Sequence, residues 1–220
     1  MTHSFNTPVS WSIKKEPIYR ILDDVKWMEN FFETGELMLS CFNNFKSYKD
    51  EMQGDLEEGH GVLGNTDEKG NVSAYIYDSG SNAYVMSTTT VLTDIVKKDF
   101  KGKCAIKIMH PTYFALEISK KLPYVLSGLE GHCDYLNTRV HFLEKEVEYK
   151  KSFEKLDFEN DRNSIELFKE MTNGKELFLK DKKYRHQNEY RLIWFSKEYV
   201  NESVVIKCPE ARSFCEPLTF

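Results

Sequence analysis

The sequence predicts an α+β fold in which antiparallel strands form most of the core and a few helices flank them. Short apolar runs recur along the chain and are bounded by Gly, Pro, Asn and Asp, as is typical of strands. Strands and helices do not alternate regularly, which argues against a doubly wound parallel sheet. With 220 residues, 40% of them hydrophobic, the chain can bury one substantial core, so residues 1–220 are predicted to form a single domain.

Apolar runs and alternation place the strands, and the 3.6-residue period places the helices. The predicted strands are 17–22, 37–42, 72–77, 83–89, 103–109, 122–126, 176–179, 190–195 and 203–207. The predicted helices are 25–34, 91–98, 111–119 and 163–172. The stretch 140–149 can be a strand or a helix. Its triplets Glu144-Lys145-Glu146 and Glu146-Val147-Glu148 lie in a charged stretch that no aromatic strand follows, so they are not taken as candidate site residues.

Caps and turn residues fix several element ends. Asp23 or Asp24 can cap the first helix, and Gly35 ends it. Pro111 opens a later helix, and Asn173-Gly174 stops the helix 163–172. The polar turn 78–82 predicts that strands 72–77 and 83–89 form a hairpin. The stretch 43–71 is polar and rich in glycine, so it is predicted to be a surface excursion.

The charge pattern gives no global sign of a nucleic-acid-binding protein, because 30 basic and 35 acidic residues leave a net charge of −5. A local basic strip would suffice for such a partner, although a solvated loop is the simpler interpretation; its residues are Lys180, Lys182, Lys183 and Arg185. The acidic run of the 43–71 stretch is likewise interpreted as solvated loop charge; it comprises Asp50, Glu51, Asp55, Glu57 and Glu58.

The cysteines and the chain start point to a cytoplasmic location. The five cysteines are odd in number and lack the paired spacing of zinc sites, which favours reduced thiols. Met1 to Phe5 show no basic-then-apolar pattern, and no apolar run approaches about 18 residues. Neither secretion nor membrane spanning is therefore expected.

Three polar groups stand at strand positions where an apolar side chain would be usual. Arg20 lies within the first strand, the triplet Ser87-Thr88-Thr89 ends a middle strand, and Gln187 and Glu189 enter a late one. Residues at i and i+2 on extended backbone point to the same side, so Gln187 and Glu189 can act together on one ligand. Arg20 needs an anionic partner, which can be a nucleotide phosphate or a loop carboxylate such as Asp50 or Glu51.

In this order, the three groups resemble the NAD-dependent ADP-ribosyltransferase superfamily in its Arg-Ser-Glu branch, in the Gln-x-Glu variant. Tyr184 resembles the aromatic residue that precedes the Gln/Glu-x-Glu element there. The segment 18–42 and the triplet Glu189-Tyr190-Arg191 are similar to a widespread uncharacterised bacterial domain that ends in Glu-Tyr-Arg. The middle triplet departs from the Ser-Thr-Ser pattern at Thr89, which keeps the hydroxyl.

The resemblance implies split antiparallel sheets, NAD as substrate and no metal. The implied catalytic residues are Glu189, which would stabilise the sugar cation formed as nicotinamide leaves, Gln187, which would position the nucleophile, and Ser87. The implied NAD-binding residues are Arg20, Tyr19, Ser87, Thr88 and Thr89. The implied acceptor-binding residues are Tyr184, Arg185, His186 and Gln187.

The expected function is mono-ADP-ribosyl transfer to a macromolecule. Glutamine at the first position of the element points to a nucleobase of RNA or DNA, or to a protein side chain other than arginine. A bacterial toxin or anti-phage effector, with a neutralising antitoxin as a possible partner, is the expected setting. NAD hydrolysis, and a binding module that has lost the chemistry, stay open as alternatives.

Overall fold

The computed structural model describes residues 16–47, 57–66, 69–142, 152–153 and 155–220. They form a mixed α+β structure with a mostly antiparallel sheet, as predicted. The strands are β1 (Ile18–Leu22), β2 (Glu36–Cys41), β3 (His60–Thr66), β4 (Val72–Asp78), β5 (Ala83–Thr89), β6 (Cys104–Ile108), β7 (Val125–His132), β8 (Asp134–Leu136), β9 (Val140–Phe142), β10 (Leu179–Asp181), β11 (Glu189–Ser196), β12 (Val204–Lys207) and β13 (Cys215–Thr219). The α-helices are α1 (Val25–Thr34), α2 (Phe42–Ser47), α3 (Asp94–Asp99), α4 (Pro111–Ser119) and α5 (Arg162–Thr172), with 3-10 helices at Lys175–Phe178, Lys182–Gln187 and Pro209–Phe214.

The main sheet forks at β5. One edge of β5 pairs with β11, which continues to β7. The other edge is shared, because β1 pairs with it at Thr89, and β2 pairs with it at Val85 and Tyr84. Beyond β1 follow β6 and β13, and beyond β2 follows β12, all antiparallel. The residues of β5 between the two contacts therefore face an opening between β1 and β2.

Alternation along β11 divides its side chains between two environments. One side faces the main core and carries Tyr190, Leu192 and Trp194. Phe31 of α1 and Phe114 of α4 belong to the same core. The indole Nε1 of Trp194 donates to the carbonyl of α4 residue 115 at 3.0 Å. The alternate positions, Glu189, Arg191 and Ile193, face the other side of the sheet, where Ile193 joins a smaller apolar cluster.

The residues predicted to begin and end the helices are confirmed. The Asp24 side chain accepts from the Lys26 amide at 3.1 Å, and Gly35 ends α1 with a φ of 82°. Pro111 opens α4. Asn173 ends α5 in the left-handed region with a φ of 48°.

The strand-pairing prediction around residues 72–89 is wrong. β4 pairs with β3 instead of β5, in the register of His60 opposite Asp78. β5 is a central strand of the main sheet, buried on both faces, so its partners are distant in sequence. The stretch predicted as a surface excursion thus holds β3, whose Leu63 is fully buried against Phe153, Phe168 and Met171.

Two further strand predictions need correction. Residues 175–178 form a 3-10 helix, and only Leu179 belongs to a strand. The strand predicted at 122–126 starts at Val125 and runs to His132. β9 covers the start of the stretch 140–149, and the remainder, including Glu144 and Glu146, lies outside the described residues.

Candidate functional site

The site is built where a short 3-10 helix turns into β11. Asp181 caps this helix, accepting from the Lys183 amide at 2.8 Å, and Asn188 reverses the chain with a φ of 42°. Gln187 and Glu189 flank that turn and are almost completely buried, at 1% and 3% exposure. The predicted pair therefore lies under the surface of a cleft and not on a solvated strand start.

Both oxygens of the Glu189 carboxylate are held by protein groups. Oε1 accepts from the Ser87 hydroxyl at 2.8 Å and from the Arg191 Nε at 2.6 Å. Oε2 accepts from the Lys180 ammonium. Burial alone would raise the pKa of Glu189, but Arg191 and Lys180 outweigh burial and hold that pKa well below its usual range. The carboxylate is therefore ionised at neutral pH.

Lys180 joins the two members of the predicted pair. Besides Glu189, its ammonium donates to the Gln187 Oε1 at 2.9 Å, and it lies 5.3 Å from the centre of the Tyr184 ring. The Gln187 Nε2 is buried and has no hydrogen-bond partner among the described residues. An unused buried donor costs about 1–3 kcal/mol, so this amide marks a place where a ligand atom would be stabilising.

Arg191 completes a cluster of four buried charges. Its Nη1 contacts the Glu58 carboxylate and donates to the Leu177 carbonyl at 2.5 Å. Burial acts to lower the pKa of Arg191. Nearby acidic groups, Glu189 and Glu58 among them, outweigh burial and hold that pKa well above its ordinary value. The interpretation of Glu58 and Lys180 as solvated loop charge is wrong, because these side chains are 3% and 10% exposed and pair with β11 residues.

The hydroxyls of Thr88 and Thr89 bind β11 and the turn before it. Thr88 Oγ1 donates to the Tyr190 carbonyl at 2.6 Å. Thr89 Oγ1 donates to the Gln187 carbonyl at 2.7 Å. Of the predicted triplet, Ser87 is thus the member whose hydroxyl reaches the Glu189 carboxylate.

A cleft of about 280 Å³ occupies the fork of the sheet. Arg20 of β1, Ser40 of β2, Ser87 of β5 and Glu189 of β11 all line it. Arg20 donates to the Met38 carbonyl at 3.0 Å, and no described residue hydrogen-bonds the buried Ser40 hydroxyl. Asp50 and Glu51, the alternative partners considered for Arg20, lie outside the described residues. We call this cavity the fork cleft.

A recess of about 40 Å³ adjoins the fork cleft, and Tyr19, Thr88, Thr89, Gln187 and Glu189 line it. The residues predicted to bind NAD thus line two cavities that share Ser87 and Glu189.

A third cavity, of about 420 Å³, is also lined in part by Glu189. His132, Tyr135, Arg185 and Asn188 are among its lining residues, and we call it the hook cleft. The Tyr135 hydroxyl accepts from the Glu189 amide at 2.7 Å. Burial acts to raise the pKa of Tyr135, so the phenol stays protonated.

The residues predicted to bind the acceptor divide into two kinds. Tyr184 is buried under Lys180 and Lys183, whereas Arg185 and His186 are exposed. The His186 Nε2 lies 2.5 Å from the Asp99 carboxylate, which ties the 3-10 helix to α3.

Sequence reasoning missed Lys180, Glu58, Tyr135 and Arg191 as parts of the site. Arg191 had a usable signal, since it stands two residues after Glu189 on the same strand and so faces the same side. Glu58 and Tyr135 come from distant segments, and Lys180 stands nine residues before Glu189. Nothing in their local sequence separates these three from ordinary loop residues.

No protein-family model, no curated protein and no solved structure matches the chain. Within the described ranges, no three His, Cys, Asp or Glu side chains group closely enough to hold a metal ion. No helix among the described residues is long and apolar enough to cross a membrane.

Proposed function

We propose that the protein is an NAD-dependent mono-ADP-ribosyltransferase that acts on a macromolecular acceptor. The observation that carries the proposal is the meeting of three groups from separate strands. Arg20, Ser87 and Glu189 line one cleft, and the Ser87 hydroxyl binds the buried, ionised Glu189 carboxylate. Strongly perturbed buried groups in a cleft are typical of functional sites.

The fork cleft would hold the nicotinamide nucleotide half of NAD. Its volume of about 280 Å³ lies just below the range of about 300–1,000 Å³ for small-molecule sites, so the adenosine half would extend over the open rim. Arg20 provides a guanidinium for the pyrophosphate. The Ser40 hydroxyl, to which no described residue hydrogen-bonds, offers a further hydrogen bond to a polar ligand.

Glu189 would act on the sugar as nicotinamide leaves. Breaking the ribose–nicotinamide bond develops positive charge on the ribose, and a nearby carboxylate stabilises that charge more in the transition state than in the ground state. Ser87 fixes the orientation of the carboxylate through Oε1. Oε2 keeps acceptor capacity beyond its bond to Lys180, so a ribose hydroxyl can bind there.

Lys180 sets a condition on this mechanism. Its ammonium contacts the carboxylate that would face the sugar cation, and two positive charges at that distance repel each other. A ribose hydroxyl that displaces Lys180 from Oε2 would leave the ammonium on Gln187 and expose the carboxylate to the sugar.

A binding module without catalysis is the second candidate, and the burial of Glu189 favours it. A carboxylate that is 3% exposed and bonded through both oxygens to protein groups can also be part of a structural ion-pair network. Such a module would bind its ligand in the same cleft and release no nicotinamide.

The two candidates are separated by measuring nicotinamide release and transfer of label from NAD to cell lysate. The wild type, Glu189→Gln and Ser87→Ala are compared after circular dichroism has shown that each is folded, with the exposed Glu216→Gln as the matched control. We expect Glu189→Gln to lose about 100-fold or more in rate. Equal rates for wild type and Glu189→Gln refute the transferase. Nicotinamide release without labelled macromolecules indicates NAD hydrolysis, and failure to bind millimolar NAD refutes both enzyme functions.

A further inference from the structure

The recess beside the fork cleft is lined by Gln187 and is the size of one polar group. Its volume of about 40 Å³ exceeds the space of about 10–15 Å³ that one water molecule needs. It is far below the range of about 300–1,000 Å³ for a site that holds a whole small molecule. A group that enters the recess is therefore one substituent of a larger ligand.

The remainder of that ligand is placed in the fork cleft, because the two cavities share part of their walls. The residues that line both are Ile21, Ser87, Phe100 and Glu189. Ile21 and Phe100 are half-buried and provide apolar surface on which a flat ring can pack. A ring in the fork cleft can thus lie against these two side chains and direct one substituent into the recess.

The hydroxyl donors of the recess are already in use, whereas the amide donor is not. A hydroxyl has a single hydrogen to donate. Ser87 donates to the Glu189 carboxylate at 2.8 Å, and Thr88 and Thr89 donate to backbone carbonyls at 2.6 and 2.7 Å. The Gln187 side chain is 1% exposed, and its Nε2 has no hydrogen-bond partner among the described residues. A ligand group in the recess therefore finds its donor in Gln187.

Lys180 fixes which end of the Gln187 amide is available to a ligand. Its ammonium donates to the Gln187 Oε1 at 2.9 Å. The reverse orientation of the amide would place two sets of N–H donors against each other, because an ammonium has no acceptor. The Nε2 donors are therefore the end that a ligand meets, and the ligand has to offer an acceptor such as a carbonyl oxygen.

The charge of Glu189 sets a second condition on the group in the recess. Glu189 is the charged residue in the described lining of the recess, and its carboxylate is ionised. A second carboxylate placed beside it would be repelled. The substituent is therefore an uncharged group that carries a carbonyl oxygen, and the carboxamide of nicotinamide meets both conditions.

We propose that Gln187 selects the nucleotide donor, because its Nε2 donates to the carboxamide oxygen of the nicotinamide ring. The carboxamide enters the recess, and the ring lies against Ile21 and Phe100 in the fork cleft. This inference rests on the proposed function. It gives Gln187 a different role from the one that the resemblance implies: Gln187 recognises the leaving group and does not position the nucleophile. The ligand class is a pyridinium nucleotide with an uncharged carbonyl substituent.

Ligand selection is tested with the wild type, by the quench of tryptophan fluorescence recorded before turnover. The probes are NAD, its 3-acetylpyridine analogue, which keeps an uncharged carbonyl, and its nicotinic acid analogue, which carries a carboxylate. We expect the acetyl analogue to bind like NAD and the acid to bind about tenfold or more weakly. Equal affinity of the wild type for NAD and the acid overturns the proposal.

The role of the amide is tested with two variants. Gln187→Met keeps the length of the side chain and removes the donors, and Gln187→Glu also removes the donors but keeps the bond to Lys180. Both should bind NAD about tenfold more weakly than the wild type. The control ligand is ADP-ribose, which lacks the nicotinamide ring, so unchanged affinity for it shows that the fork cleft is intact. Unchanged affinity for NAD in both variants, or an equal loss for NAD and ADP-ribose, overturns the proposal.

Kinetics separate recognition of the leaving group from positioning of the nucleophile. Nicotinamide release is measured in buffer, where water is the acceptor, and in cell lysate, where labelled macromolecules are also counted. We expect Gln187→Met to raise the KM for NAD by the same factor in both, with the exposed Glu216→Gln unchanged. Loss of macromolecular label at an unchanged KM and unchanged nicotinamide release overturns the inference and leaves the proposed enzyme standing. Failure of the wild type to bind millimolar NAD refutes the proposed function, and the inference with it.

Discussion

Glu189→Gln should destabilise the fold far more than the loss of an exposed charge. The substitution leaves Lys180 and Arg191, whose side chains are 10% and 1% exposed, with one anion fewer. The new amide can accept from one cation through its oxygen, but its NH2 group then faces the other. Breaking one partner out of a buried ion pair costs about 3–5 kcal/mol, which is a large part of a typical total of about 5–15 kcal/mol.

The assay is urea denaturation followed by tryptophan fluorescence, with the fully buried Trp194 as the reporter of the main core. Glu216→Gln is the control, because Glu216 pairs with Lys107 at 2.9 Å on the surface and is 56% exposed. Exposed pairs contribute about 0–1 kcal/mol. If Glu189→Gln lowers the free energy of unfolding no more than Glu216→Gln does, at an unchanged denaturant slope, then the buried ion pairs do not stabilise the start of β11 as described.

Three further outcomes are expected. Because the folded pKa of Glu189 lies below its unfolded value of about 4.3, the stability that it contributes is complete above that pH and is lost as the pH falls below it; urea midpoints from pH 7 to pH 3 should drop in the wild type and less steeply in Glu189→Gln. Ser87→Ala removes one bond to Glu189 but leaves both cations, so the unfolding free energy should fall by roughly 1–2 kcal/mol while nicotinamide release falls at least about tenfold; unchanged release contradicts the role given to the hydroxyl. Gly35→Ala would place its Cβ on the Pro209 backbone at a φ of 82° and should lower the thermal midpoint measurably, by a cost above about 2 kcal/mol.

Element ends could be predicted because their causes are local. Asp24, Gly35, Pro111 and Asn173 act through backbone groups within a few residues, which any sequence window contains. The prediction of Ser87 and Glu189 as members of one set rested on the order of motifs along the chain. The structure brings the two side chains within 2.8 Å through the register of β5 and β11.

Strand partners could not be predicted in the same way. The turn after β4 has the composition of a hairpin turn, yet β5 leaves β4 and joins the main sheet. Its apolar residues on both faces are matched by β11 and by the cores on either side, and burial of that kind is a property of the whole sheet. Local composition therefore predicted correctly that β5 is a strand, but the prediction that β5 pairs with β4 was wrong.

The buried charges were missed for a related reason. Lys180 and Glu58 stand in polar sequence, and a charge in such a stretch is usually solvated. Their burial depends on partners that other segments supply, Glu189 for the lysine and Arg191 for Glu58. Glu58 and Arg191 are far apart in sequence. Lys180 and Glu189 are nine residues apart, but a 3-10 helix and a turn separate them, so their spacing did not predict the contact. Arg191 and Glu189, by contrast, are two residues apart and share a face.

Stability alone does not account for keeping this cluster. Glu58, Glu189, Lys180 and Arg191 sum to no net charge, and replacing such a set with apolar residues of similar volume is often neutral or stabilising by about 1–4 kcal/mol. Among the residues that the structure describes, neither the Gln187 Nε2 nor the nearby Ser40 hydroxyl has a hydrogen-bond partner, whereas a purely structural network would be expected to satisfy both. These unused groups line the cavities that meet at Glu189. We therefore infer that the charges are retained to hold Gln187 and Glu189 in a fixed geometry for a polar ligand, at the expense of stability.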